Sequence, residues 1–334
     1  MTRKDTLRMA AFLLLCVVLV LALWQVFSRK TACDYTLKVN GFFNEPPETM
    51  DVICFGTSRM YCTIDPLVLH HETGLNAYVL ATQQQPLPAT YYYMKESFRT
   101  QSPKLVILEA TMAFRAPDFL GSGALRDCLD PLPWSKNKIE IIRSLVEPAE
   151  RKNYYFNFLQ YHQRWKELGA RDFDFSFFDD RDPFRGYIYL TPERGADCRQ
   201  QRYDDVEAVP IAEENLEMIR RMRALAEKNG AAFMLLVSSY EMVTEDLGAI
   251  KSLHAFCEDE GIPLLDLNEN FDELGLEPAK DYFDTGHFNA RGSAKATRWI
   301  ARQITESFDL QPQTHALDAE IEANYDEYII PLFA

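Results

Sequence analysis

Ser58 follows an apolar run, Val52–Phe55, through the compact sequence Phe55-Gly56-Thr57-Ser58-Arg59. A hydroxyl there is a nucleophile only if a base takes its proton. The chain supplies a base in Asp284-Thr285-Gly286-His287, where Gly286 permits a tight turn and lets Asp284 and His287 converge on one point. An imidazole beside a serine hydroxyl accepts its proton. A carboxylate behind the ring orients it and favours the imidazolium. Each element alone is bland: Gly-Thr-Ser after a strand is most often a turn, and a lone loop histidine usually faces solvent. The combination and its order along the chain carry the weight.

Other side chains fall near the same positions. Arg59 and Arg115 can pair with an anionic substrate group, and Glu109 ends the third apolar run, where a carboxyl can act as an acid. His70-His71 closes a short helical stretch before Gly74 and reads as packing rather than ligation. Tyr91, Tyr92 and Tyr93 read the same way. No CxxC or HxxxH spacing occurs, so neither a metal site nor a cofactor is expected. The seven cysteines show no disulfide framework, and Cys54 reads as a small apolar residue inside a strand.

These residues need a scaffold that brings them to one edge. The runs Val52–Phe55, Ala77–Leu80, Leu105–Leu108, Phe233–Val237 and Ile262–Leu267 are nearly continuous in apolar character, as parallel strands covered on both faces are. Helical stretches at about 86–101, 211–229, 246–260 and 290–306 alternate with them, and Asn289 is placed to cap the last. Strand and helix in alternation predict a doubly wound α/β sheet, with ligands at the carboxyl ends of the strands. Residues 115–210 break the repeat and predict an insertion near that edge.

Met9 to Trp24 is unbroken apolar sequence, extended by Val26 and Phe27 and flanked by Arg3, Lys4, Arg8, Arg29 and Lys30. A bilayer needs roughly 17–25 helical residues, and no small-x-small cleavage site follows. The expected layout is a cytoplasmic stub (1–8), an uncleaved transmembrane anchor (9–27), a linker (28–50), an α/β domain (51–310) and an acidic surface tail (311–334). A single pass is expected to hold the body on the extracytoplasmic face of the cell membrane. Net charge is −15; residues 1–32 carry +4, which leaves −19 on the remainder. So acidic a body excludes nucleic acid as a partner.

With Gly56-Thr57-Ser58 and Asp281-Tyr282-Phe283-Asp284-Thr285-Gly286-His287-Phe288-Asn289 in place, residues 51–307 resemble the SGNH/GDSL hydrolase superfamily. The resemblance is to its membrane-anchored cell-envelope branch, which includes D-alanine transfer and alginate O-acetylation proteins. It implies a flavodoxin-like three-layer α/β/α fold with a five-stranded parallel sheet. It also implies Ser58 as nucleophile, His287 as general base and Asp284 as its orienting partner. The family's second-block glycine and third-block asparagine are replaced here by Ala81-Thr82-Gln83-Gln84-Gln85-Pro86 and Glu109-Ala110-Thr111-Met112. Oxyanion and substrate contacts are therefore expected from Thr57, Arg59, Gln83, Gln84, Glu109, Thr111 and Arg115. The implied activity is a serine esterase or O-acyltransferase on acylated cell-envelope carbohydrate or a teichoic-acid-like polymer. A membrane-bound O-acyltransferase is the implied partner. The alternative is a non-catalytic binding or assembly component of such a system.

Overall fold

A computed structural model of the chain describes residues 2–28, 35–116, 122–176 and 179–333. The first helix, α1 (Arg3–Phe27), starts at Thr2, whose hydroxyl accepts from the Asp5 amide at 3.3 Å. An 18-residue stretch of it has mean hydropathy 2.7 and is almost unburied, so the helix is long and apolar enough to cross a membrane.

Part of the segment expected as a linker is helical, and its residues 29–34 lie outside the described residues. Its residues 35–44 form α2 (Tyr35–Asn44), which buries Val39 and Phe42 and accepts a 2.7 Å hydrogen bond from the Tyr78 hydroxyl at the Lys38 carbonyl. There follow β1 (Val52–Gly56), α3 (Ser58–Thr63), α4 (Pro66–Thr73), β2 (Ala77–Ala81), α5 (Leu87–Ser97) and β3 (Leu105–Glu109). The 115–210 region contains α6 (Ser122–Leu129), α7 (Lys136–Leu145), α8 (Arg151–Tyr155) and α9 (Asn157–Tyr161), with no strand among its described residues. Then come α10 (Glu213–Lys228), β4 (Ala232–Val237), α11 (Thr244–Glu260) and β5 (Leu264–Asp266). A hairpin of β6 (Tyr282–Asp284) and β7 (His287–Phe288) leads into α12 (Ala290–Ser307) and α13 (Asp318–Tyr328).

Five strands form one parallel sheet in the order β2-β1-β3-β4-β5. Alternate residues feed two cores. Ile53, Phe55, Val106, Leu108 and Leu235 pack with Tyr93, Ile219 and Ile250 of α5, α10 and α11. Val52, Cys54, Ile107 and Leu236 pack with Met60 and Trp299 on the other face, where α3 and α12 lie. The sheet is thus covered on both sides, which is why its strands read as unbroken apolar runs. The chain is an α/β protein with a five-stranded parallel sheet and one N-terminal apolar helix.

The insertion also closes an edge. Arg185 accepts at its carbonyl from the Val79 amide at 2.9 Å, and its Nε donates to the Ala77 carbonyl at 2.9 Å, capping the outer side of β2. Unpaired strand edges invite association, and this one is blocked. The closing residues, expected as a surface tail, instead pack: Leu317, Ile321, Tyr325 and Ile329 of α13 and its flanks are buried against Leu67, Val68 and Ala294. His71 serves that contact, pairing with Glu322 at 2.9 Å and stacking on Tyr325 at 3.9 Å.

Candidate active site

β1 lies between β2 and β3, so consecutive strands leave it in opposite directions, the topological switch point of the sheet. In open α/β sheets this is the crevice where ligands bind. Gly56 ends β1 with φ of 153°, and a Cβ there would stand 2.6 Å from the Glu109 Cβ, so the close approach of β1 and β3 requires glycine. The chain turns at Thr57, whose hydroxyl accepts from the Arg59 amide at 3.2 Å and caps α3. Ser58 is the first residue of that helix.

The β6–β7 hairpin brings in the other two groups. Asp284 Oδ1 accepts from the Gly286 amide at 2.8 Å and contacts His287 Nδ1 at 2.8 Å. His287 Nε2 lies 2.9 Å from Ser58 Oγ. With Nδ1–H donating to the carboxylate, Nε2 is left to accept the Ser58 hydroxyl proton. The imidazole is 28% exposed, shielded yet reachable. Ser58, Asp284 and His287 are thus brought together at the carboxyl edge of the sheet.

The hairpin is held from behind. Ser239 Oγ and the Tyr282 hydroxyl are 2.8 Å apart, and the Glu241 amide donates to the Thr285 carbonyl at 2.8 Å. Asn289 caps α12 by accepting from the Gly292 amide at 3.0 Å, as its position in the sequence predicts. Ser293 and Thr297 of α12 both donate to the Thr63 carbonyl at 3.1 Å, tying α12 to the end of α3. The helix bearing Ser58 and the helix following His287 are thus joined directly.

A cleft of about 430 Å³ opens over the relay, lined by Thr57, Ser58, Arg59, Gln83, Gln84, Thr111, Met112, Arg115 and His287. Six of the seven expected contact residues are in this lining. Glu109 is not. It is 1% exposed and sits beneath the floor, accepting from the Thr57 hydroxyl at 2.8 Å, from the Thr111 amide at 2.9 Å and from the Thr111 hydroxyl. Its expected place at the substrate is corrected to that of a clamp joining the ends of β1 and β3. The clamp also engages the single donor hydrogen of each threonine hydroxyl, so Thr57 and Thr111 line the cleft with their donors already used.

Gln84 adopts a left-handed backbone conformation, φ 47°, uncommon outside glycine and found where function or packing imposes it. Gln83 and Gln84 are both exposed at the cleft, whereas Gln85 is buried and donates to Thr90 at 3.0 Å. The Arg59 guanidinium lies 3.5 Å from the ring centre of Tyr240, whose hydroxyl donates to Asp246 at 2.9 Å. Burial keeps that phenol protonated well beyond its ordinary range. Tyr240 and Met112 were not anticipated; Tyr240 follows β4 at the same carboxyl edge, which was the signal available for it. The tyrosines of α5 stay outside the cleft lining, and Tyr93 is fully buried.

No protein-family profile matches this chain, and no curated protein matches it.

Proposed function

We propose that the protein is a membrane-anchored serine acyl-ester hydrolase or O-acyltransferase of SGNH type, with its body on the extracytoplasmic side. The observation that carries this reading is the relay of Ser58, His287 and Asp284 at 2.9 and 2.8 Å, opening on the switch-point cleft. A fold built only for binding has no need of all three groups in hydrogen-bonding order.

In this reading Ser58 Oγ attacks the carbonyl carbon of an ester while its proton passes to His287 Nε2. Asp284 holds the ring and stabilises the imidazolium so formed. The tetrahedral intermediate collapses, the C–O bond to the leaving alcohol breaks, and His287 returns the proton to that alcohol. Ser58 then carries the acyl group. Water or a sugar hydroxyl, deprotonated by His287, attacks the acyl-serine and frees Ser58. The Ser58 amide, at the start of α3, is one of those an α-helix leaves without an intrahelical carbonyl, and it faces the developing oxyanion in this scheme. The exposed Gln83 and Gln84 are the further donor candidates.

Arg59 and Arg115 both line the cleft, and the Arg59 guanidinium stacks on Tyr240. That suits an anionic acceptor such as an acylated, phosphate-bearing or uronate-bearing envelope polymer. The test is turnover of acetyl and D-alanyl esters by the intact protein and by Ser58→Ala. Loss of turnover only in the variant supports the reading; equal turnover in both contradicts it. If neither protein turns over any ester, alone or with a membrane O-acyltransferase, the non-catalytic binding reading takes its place.

A further inference from the structure

The body grips the end of α1. Arg164 donates to the Phe27 and Ser28 carbonyls at 3.0 and 2.8 Å, capping the helix, and pairs with Asp172 at 2.9 Å. Gln25 Nε2 donates to the Phe175 carbonyl at 3.1 Å. Trp24 meets Trp134 edge to face at 5.8 Å, and Phe27 meets Phe158 likewise at 5.4 Å. The contact continues down the helix. Val20, Leu23 and Trp24 share an apolar cavity of about 190 Å³ with Phe156, Phe158 and Leu159.

At 1.5 Å per residue Val20 lies about 10 Å along the axis before Phe27. The apolar stretch from Met9 to Phe27 spans about 28 Å on the same rise, and the hydrocarbon layer is about 30 Å thick. The anchor therefore has no length to spare. When α1 crosses a bilayer, side chains touching it at Val20 lie below the level where hydrocarbon begins.

The exposed surface there interleaves apolar side chains with charged ones such as Lys166 and Glu167. Phe156 and Trp165 are each 63% exposed, and Phe158, Leu159, Phe173 and Phe175 of the same stretch are exposed too. Away from α1 and the neighbouring Trp134, the other exposed large apolar residues among those described are only Val209, Val243, Ile330 and Phe333. The Lys166 ammonium lies 5.2 Å from the Trp165 ring, an apolar body with a charged tip, as at membrane interfaces. The polar groups Asp130, Lys138 and Tyr161 line a neighbouring cavity of about 340 Å³ that shares Trp24 and Asn157 with the apolar one and also reaches Leu21 of α1.

We propose that residues 156–175 form a membrane-inserted platform. Their apolar side chains embed among the lipid acyl chains of the leaflet on the body's side of α1, and they hold the body against the membrane in one orientation. The occupant of this surface is lipid, because α1 carries its own bilayer to this depth. Interfacial elements bury their apolar faces by roughly 5–10 Å, which agrees with the reach to Val20.

The test uses the full-length chain in phosphatidylcholine vesicles, in a Cys16→Ser, Cys33→Ser background whose remaining described cysteines are buried. Nitroxide labels are placed singly by Leu14→Cys, Phe156→Cys, Trp165→Cys and, at an exposed position of α10, Glu227→Cys. Relaxation by oxygen, which partitions into hydrocarbon, is compared with relaxation by a water-soluble nickel chelate. The platform predicts an oxygen-to-nickel ratio several-fold higher at 14, 156 and 165 than at 227. Aqueous values at 156 and 165 with a hydrocarbon value at 14 overturn the platform and leave the anchor standing. Aqueous values at all four overturn both. Shielding of 156 and 165 from both reagents means protein, such as a second copy of the chain, covers the surface, and overturns the lipid assignment.

Discussion

His287 has one ring nitrogen on a carboxylate and the other on a hydroxyl, so the ring is oriented before any substrate arrives. Because nucleophile and base act as a unit, Ser58→Ala and His287→Ala are each expected to lower ester turnover by about 10³-fold or more, and not additively. Asp284→Asn keeps the shape but offers an amide where the ring needs an acceptor; its loss should not exceed theirs. Steady-state rates of the three variants and of the double variant check this, and a double variant markedly worse than either single one contradicts a shared step. Glu109 has a different part. Removing its carboxylate in Glu109→Ala strands the Thr57 and Thr111 hydroxyls and the Thr111 amide below the cleft. A loss of about 1–3 kcal/mol is expected from such unsatisfied buried groups, read as a lower denaturation midpoint; an unchanged midpoint would show that the clamp is idle.

Among the elements, α4 offers a pH-dependent handle. Asp65 caps it, accepting from the Leu67 amide at 2.9 Å, while its other oxygen is buried without a partner. Burial raises the Asp65 pKa to about 7, against about 3.9 for an unfolded aspartate. A raised carboxyl pKa means the folded form holds its proton longer, so its stability falls as pH rises from about 4 to about 7. Asp65→Asn keeps the capping oxygen and removes the proton. It should be more stable than the parent at pH 8 and similar at pH 4; thermal melts at both pH values decide, and a variant less stable at pH 8 refutes the assignment. The five strands were legible because two-sided burial leaves an apolar run nothing to alternate with. Two helices were not. The buried residues of α13 and its flanks, Leu317, Ile321, Tyr325 and Ile329, recur only once per turn amid acidic residues, and α2 contributes little beyond Val39 and Phe42. Stripes that narrow are hard to separate from a solvated segment. At the site, Ser58, Asp284 and His287 were readable from residue type and position. The convergence of the last two, though, comes from the Asp284 carboxylate accepting the Gly286 amide. A Cβ at 286 would meet nothing nearer than 3.5 Å, so room does not demand glycine there. The buried place of Glu109 was beyond reach, since sequence shows that it ends a strand but not that β1 and β3 close over it.

At the scale of the whole molecule, an acidic body is fixed to a basic-flanked apolar helix through Arg164, Trp134 and Phe158. This predicts that the mature protein keeps residues 9–27 and stays with membranes through an alkaline carbonate wash. N-terminal sequencing of the extracted protein checks it, and a chain beginning beyond residue 27 would identify the segment as a removed leader. An anchor of this kind bears on function only if the cleft does chemistry. The most direct measurement is to treat the intact, full-length protein with a fluorophosphonate probe and locate the modified residue by mass spectrometry. The relay of Ser58, His287 and Asp284 predicts one adduct, on Ser58, absent after heat denaturation and lost in His287→Ala. An adduct on another residue, or no adduct on the folded protein, would contradict the assignment of Ser58 as an activated nucleophile.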